Sequence, residues 1–71
     1  MPNCYWSAES WGADYPPENW QEIVWAANQE IDNFMQENDF DVYDDETRNF
    51  SDKLWESWIV NGNLPEFLQE E

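Results

Sequence analysis

Residues 17–37 read PENWQEIVWAANQEIDNFMQE, and this stretch decides the fold. At about 100° per residue its apolar side chains lie within an arc of about 120°, which is typical of a helix that buries one face. They are Trp20, Ile23, Val24, Ala27, Ile31, Phe34 and Met35. Pro16 and Pro17 suit a first helical turn, and the opposite face carries acids and amides without Lys or Arg. The pattern predicts a helix over residues 17–37.

The segment before this helix is rich in aromatic residues but lacks strict alternation. Residues 1–15 therefore predict an aromatic N-terminal arm, either irregular or containing a short strand. We expect Trp6, Trp11 and Tyr15 to fold back across the helical core, with a bend at Gly12.

The second half of the chain predicts a second helix and a short third one. An Asp cap near Asp44 or Asp45 starts the second helix after a loop or very short extended piece, and Gly62 stops it. Residues 64–69 form the third helix and close the core with Phe67 and Leu68. The predicted fold is mainly α: a small, compact, two-to-three-helix single domain over residues 1–71.

Charge is the second dominant feature of the sequence. Seventeen Asp and Glu stand against two cations, Arg48 and Lys53, which gives a formal net charge of −15 on 71 residues. An aromatic content of 18% argues against disorder. Solubility alone needs a net charge of only about 2–8 on a small domain. The excess indicates a strongly basic partner, and the alternative is a merely solvated acidic face.

Catalytic residues are scarce. The chain has no His, two Gly and a single Cys. It therefore offers neither a Cys/His nor a Ser/His nucleophile, and no Gly-rich phosphate loop. We expect no enzyme activity and no cofactor. Cys4 is expected to be a small, partly buried apolar residue in a reducing cytoplasm. Neither a signal peptide nor a membrane span is expected.

The acidic segment 39–46 invites comparison with a calcium loop. Counted from Asp39, Asp44 stands at the sixth position where Gly is needed, and Phe50 stands at the twelfth where Glu is needed. We therefore predict no dedicated metal site, and weak divalent-ion binding stays open as a third interpretation.

The spacing of the acids is the informative pattern. Carboxylates one helical turn apart are separated by about 5.4 Å of rise, a density similar to that of nucleic-acid phosphates. Such a surface attracts proteins that bind DNA through Lys and Arg, and it disfavours direct binding of nucleic acid. The candidate partner-binding acids are Glu18, Glu22, Glu30, Asp32, Glu37, Asp39, Asp41, Asp44, Asp45 and Glu46.

Trp25 is anomalous because it lies about 140° from the centre of the apolar stripe on the first helix. One interpretation is that the arm covers it through Trp6 or Trp11. The other is an exposed aromatic anchor among acids, since Trp is enriched in binding hot spots and accepts Arg on its ring face.

In size, charge and composition the whole chain resembles the DNA-mimic inhibitors of phages and mobile elements, although it carries no motif of a particular family. That class includes anti-CRISPR and anti-restriction proteins and inhibitors of DNA-repair glycosylases. The resemblance implies a stoichiometric inhibitor whose partner is a basic nucleic-acid-binding bacterial defence protein, with anti-CRISPR first and anti-restriction second. The alternative is an acidic adaptor or antitoxin-like protein that masks a basic partner without mimicry. Like charges favour a monomer over a homodimer.

Overall fold

The computed structural model of the chain describes residues 4–12 and 14–69. It contains helix α1 (Trp20–Asn38) and helix α2 (Asp45–Trp55), and α2 continues into a π-helical segment, Glu56–Val60. Two short 3₁₀ helices, Ala8–Trp11 and Glu66–Leu68, flank this pair. Within these ranges there is no β-strand, so the mainly α fold is confirmed and the strand alternative for the arm finds no support. None of the helices in this part of the chain has the length and apolar character that a membrane crossing requires.

Helix α1 begins three residues later than the proline pair predicts. Pro17 accepts a hydrogen bond from the Trp20 backbone N–H at 3.0 Å, so Glu18 and Asn19 form a turn before the helix. The Asn19 side chain does not cap α1, because its Nδ2 donates to the Leu68 carbonyl at 2.6 Å. This bond holds the C-terminal segment against the start of α1.

The buried face of α1 matches most of its predicted stripe. Ile23, Ala27 and Ile31 are buried, and Ala26, which the pattern did not include, joins them. The other predicted positions are half-buried: Trp20, Val24, Phe34 and Met35. Around this face the buried core is completed by the arm, the π-helical segment and the C-terminal turn through Cys4, Trp6, Trp58 and Leu68.

The arm is fixed by Trp6, which is only 5% exposed. The side-chain amide of Asn28 makes two hydrogen bonds to the Trp6 backbone. Its Oδ1 accepts from the Trp6 N–H at 2.8 Å, and its Nδ2 donates to the Trp6 carbonyl at 3.3 Å. The indole Nε1–H donates to Ser51 Oγ at 3.1 Å, and Ser51 Oγ donates to the Cys4 carbonyl at 2.6 Å. The arm therefore joins α1 to α2 through hydrogen bonds between polar groups that are buried at Ser51 and partly buried at Asn28.

The predictions for the other arm aromatics are partly right. Trp11 is half-buried and packs edge-on against Trp55, with ring centroids 5.0 Å apart. The prediction for Tyr15 is wrong, because that side chain is 96% exposed. Gly12 is the reason: it follows the 3₁₀ helix with a φ of 63°, a conformation natural to glycine, and turns the chain away from the core.

Helix α2 begins at Asp45 with Asp44 at the N-cap position, as predicted, but the Asp44 side chain makes no capping hydrogen bond. Phe50 stacks on Phe34 of α1 with ring centroids 4.4 Å apart and planes inclined by 9°. In the π-helical segment, the backbone carbonyl of Glu56 accepts a hydrogen bond from the Asn61 N–H at 2.9 Å. Trp58 of the same segment packs edge-on against Trp6, with ring centroids 5.7 Å apart. Gly62 follows with a φ of 74°, which agrees with its predicted role as a stop.

The predicted third helix is a single 3₁₀ turn, shorter than residues 64–69. In a 3₁₀ helix successive side chains are about 120° apart, so two neighbouring residues cannot both face the core. Leu68 is buried, whereas Phe67 is 73% exposed. The expectation that Phe67 closes the core is therefore wrong.

Candidate functional site

The predicted carboxylates mostly face solvent. Eight of the ten are exposed, and Asp32 and Asp44 are half-buried; the exposed ones are Glu18, Glu22, Glu30, Glu37, Asp39, Asp41, Asp45 and Glu46. Glu18 lies in the turn before α1, so it is not one helical turn from Glu22 as the sequence pattern assumed.

Asp32 lies on the flank of α1 against which the arm packs. Its Oδ1 accepts a hydrogen bond from the Tyr5 hydroxyl at 2.6 Å. This bond to a carboxylate, with smaller contributions from burial and charge, raises the pKa of Tyr5 to about 12. Asp32 therefore helps to hold the arm as well as contributing negative charge.

The loop between the helices is ordered by its own carboxylates. Asp44 Oδ2 accepts the Asp41 backbone N–H at 2.8 Å, and Asp41 Oδ1 accepts the Tyr43 N–H at 2.8 Å. These bonds are the short side-chain-to-backbone kind that favours turns over helix. They fix the position of two carboxylates without neutralising them.

The electrostatics of this loop differ between its two sides. On the α2 side, Asp44, Asp45 and Glu46 lie at the positive end of a helix dipole, which favours them. On the α1 side, Glu37 and Asp39 lie at the negative end, and the last turn of α1 carries no basic residue. Asp39 also has a left-handed backbone, with a φ of 58°. Helix stability therefore explains the acids of α2 but not those that end α1.

Three predicted acids line one groove of about 400 Å³: Asp32, Asp39 and Asp41, together with apolar side chains of Met35, Phe40 and Val42. These three carboxylates do not form a metal site. In residues 4–12 and 14–69 no group of three acid or thiol side chains is arranged so that it could hold a metal ion. We call the surface that contains this groove and the α2 start the acidic end, defined by Asp32, Glu37, Asp39, Asp41, Asp44, Asp45 and Glu46.

Trp25 lies away from the arm and is 64% exposed. The interpretation in which Trp6 or Trp11 covers it is wrong, because both of those rings pack against Trp55. Trp25 instead borders a groove of about 390 Å³, the aromatic groove, which is lined by Gln21, Glu22, Trp25, Phe67 and Leu68. Phe67 was not among the predicted site residues. A single 3₁₀ turn is too short to show a hydrophobic period, so the sequence does not indicate that the Phe67 side chain is exposed.

The acidic end and the aromatic groove lie at opposite ends of α1. At about 1.5 Å of rise per residue, the helix separates Glu22 from Asp39 by about 25 Å. The longest dimension of the molecule is 37 Å. The structure thus brings the loop acids together and leaves Glu22 and Trp25 as part of a separate surface.

Burial also determines the chemistry of Cys4. Desolvation raises the pKa of its thiol, which is buried beside Trp6 in the core. A protonated, inaccessible thiol is a poor nucleophile, so Cys4 acts as a small core residue.

Comparison of the chain with protein-family models, curated proteins and solved structures finds no match.

Proposed function

We propose that this protein is a stoichiometric inhibitor whose carboxylates stand in for nucleic-acid phosphates and block a basic DNA- or RNA-binding channel of a bacterial defence protein. CRISPR effectors are the first candidate targets and restriction enzymes the second. The inhibitor acts in the cytoplasm of the bacterial host, by occupancy and without turnover. The observation that carries the proposal is the acidic end, where Glu37 and Asp39 lie at the negative end of the α1 dipole, a place that helix stability disfavours.

The position of Glu37 and Asp39 distinguishes a binding surface from a solvated one. A carboxylate at the negative end of a helix dipole costs about 0.3–1 kcal/mol, and the formal charge of −15 already exceeds what solubility needs. Asn at either position, or Lys at position 37, would keep the protein soluble and remove the unfavourable charge from the helix end. A basic partner supplies the reason for Asp and Glu, since contact with Lys and Arg removes the repulsion.

Rigidity makes the acidic end suited to this role. Its carboxylates are carried by two helices whose facing rings, Phe34 and Phe50, are stacked, and by a loop tied through Asp41 and Asp44. A preorganised set of charges loses little conformational entropy on binding. Carboxylates held on a fixed surface therefore give affinity that a flexible acidic tail does not.

A competition assay tests the proposal directly. A fluorescent short duplex is bound to a purified CRISPR effector complex or restriction enzyme, and the inhibitor is titrated against it at increasing NaCl. We expect one molecule per binding channel to displace the duplex, with affinity that falls steeply as salt rises. The triple variant Asp39→Asn, Asp45→Asn, Glu46→Gln should bind about tenfold more weakly or worse, since each lost ion pair contributes up to about 1 kcal/mol.

The matched control is Glu9→Gln, Asp14→Asn, Glu56→Gln, which removes three exposed acids outside the acidic end. It changes the net charge equally, so it should lose much less affinity. Equal losses in both variants would mean that total charge, not the acidic end, drives binding. A target that binds the protein while retaining its duplex would contradict mimicry and favour the adaptor or antitoxin-like alternative.

A further inference from the structure

We infer that the aromatic groove is a binding site for an arginine side chain of the protein partner, with the guanidinium over the Trp25 indole and beside the Glu22 carboxylate. This inference rests on the proposed function for the identity of the partner, a basic nucleic-acid-binding protein. It adds a second contact surface, about 25 Å along α1 from Asp39 of the acidic end. Phosphate mimicry by the acidic end does not account for the aromatic groove.

The fold constructs this groove from two distant parts of the chain. The bond from Asn19 Nδ2 to the Leu68 carbonyl holds the C-terminal 3₁₀ turn against the start of α1. Leu68 then enters the core, and the 3₁₀ geometry turns Phe67 outward beside Trp25. Two large rings are thereby exposed side by side on a chain whose other tryptophans are buried or half-buried.

The charges around the groove determine the chemistry of its occupant. Residues 18–25 and 66–68 contain three acids, Glu18, Glu22 and Glu66, and no Lys or Arg. Glu22 lines the groove and lies one turn before Trp25 on the same helix face. An occupant must therefore combine positive charge with a surface that stacks on an aromatic ring. Arginine does both, because its planar guanidinium stacks on indole and pairs with carboxylate.

A second copy of this chain is a poor occupant. It would bring another formal charge of −15 to a groove that is itself bordered by acids. The two Trp25–Phe67 surfaces have no cation to offer each other, so apolar contact would work against like-charge repulsion. Charge complementarity favours a cationic protein segment.

Peptide titration followed by NMR of the ¹⁵N-labelled protein tests the inference without the target. The probe is acetyl-Gly-Arg-Gly-amide, and its matched control has citrulline, which is neutral and of nearly the same shape. We expect the arginine peptide to shift the Trp25 indole N–H in a saturable manner, with a dissociation constant of about 10 mM at low salt. The citrulline peptide should leave that resonance unchanged.

Variants locate the contact. Trp25→Ala, followed on the backbone N–H resonance of Glu22 in the same groove, should abolish saturable binding, whereas Tyr43→Ala, which removes another exposed ring, should not change it. Glu22→Gln should weaken binding about threefold, and Glu30→Gln, an exposed acid of α1 outside the groove, should have no effect. Equal shifts with citrulline, shifts confined to the acidic end, or concentration-dependent self-association lost in Trp25→Ala would each overturn the inference.

The two proposals fail separately. If the arginine peptide does not bind but amide substitutions at the acidic end abolish inhibition of the target, the groove assignment is wrong and the inhibitor function stands. If the peptide binds at Trp25 and no nucleic-acid-binding protein is inhibited, the groove assignment stands and the function must be revised.

Discussion

The hydrogen bond from Tyr5 to Asp32 ties the aromatic arm to the outer flank of α1. Its short length, 2.6 Å, is typical of a hydroxyl that donates to a carboxylate. The carboxylate stabilises the protonated phenol, which is why the pKa of Tyr5 rises from 10.0 to about 12. Asp32, one of the predicted partner-binding residues, therefore also stabilises the fold. The stability that this hydrogen bond contributes can be measured by replacing Tyr5, which leaves the Asp32 carboxylate in place.

We expect Tyr5→Phe to lower the free energy of unfolding by about 1 kcal/mol at pH 8. The sign of the pH dependence follows from the raised pKa. Below pH 10 the phenol is neutral in both states, so the stabilisation is complete; between 10 and 12 the unfolded chain ionises first, and the stabilisation is lost as the pH passes the folded value. Urea unfolding from pH 8 to 12 should therefore show the two proteins converging.

Tyr15→Phe is the matched control, because Tyr15 is almost fully exposed. It should unfold like the wild-type protein at pH 8. A gap between wild type and Tyr5→Phe that stays constant up to pH 12 would show that the hydroxyl acts through something other than its bond to Asp32.

At the scale of elements, the two helices could be predicted because the residues that specify them are close together in the sequence. The buried positions Ile23, Ala27 and Ile31 recur with the helical period, and Asp44 and Gly62 mark the two ends of the second helical segment. The beginning of α1 was placed too early because Pro17 fits both a first turn and the extended entry that the chain adopts.

The arm and the C-terminal turn could not be predicted in the same way, because their positions depend on contacts across long sequence separations. Trp6 finds its partners at Asn28 and Ser51, two polar residues that look like surface positions in a helical pattern. The exposure of Phe67 follows from the Asn19–Leu68 bond. The aromatic groove is therefore a tertiary feature, whereas the acidic end is largely readable from residues 37–46.

The acidic end makes a paired prediction about the two helix termini. Asp39→Asn removes a charge from the negative end of α1, and Asp45→Asn removes one from the positive end of α2. We expect the first variant to be more stable than the second by about 1 kcal/mol in urea unfolding, because each local effect amounts to about 0.3–1 kcal/mol with opposite sign. Both should bind the target more weakly.

The two variants control for each other, since each removes one negative charge and changes the formal net charge from −15 to −14. Relief of general repulsion is therefore the same in both and cancels in the comparison. Equal stabilities would indicate that the helix dipoles do not act on these carboxylates, and the argument that Asp39 is retained for binding would lose its basis.

At the scale of the whole molecule, which measures 37 × 25 × 19 Å, folding brings fifteen acids and both cations of residues 4–12 and 14–69 close together. Repulsion among these charges opposes the compact state, and the aromatic core around Trp6 has to outweigh it. Salt screens the repulsion, since the Debye length falls from about 30 Å at 0.01 M to about 8 Å at 0.15 M. The same screening weakens attraction to a basic partner.

Folding and binding should therefore respond to NaCl in opposite directions. We expect the free energy of unfolding to rise by about 2 kcal/mol between 0.01 and 0.3 M NaCl, while affinity for the target falls over the same range. Thermal unfolding and the duplex competition assay measure the two slopes on one sample series.

Calcium chloride at matched ionic strength should stabilise the protein no more than NaCl does, because simple screening depends on ionic strength. A much larger shift with calcium would support the divalent-ion interpretation, and binding that strengthened with salt would remove charge complementarity as the basis of recognition.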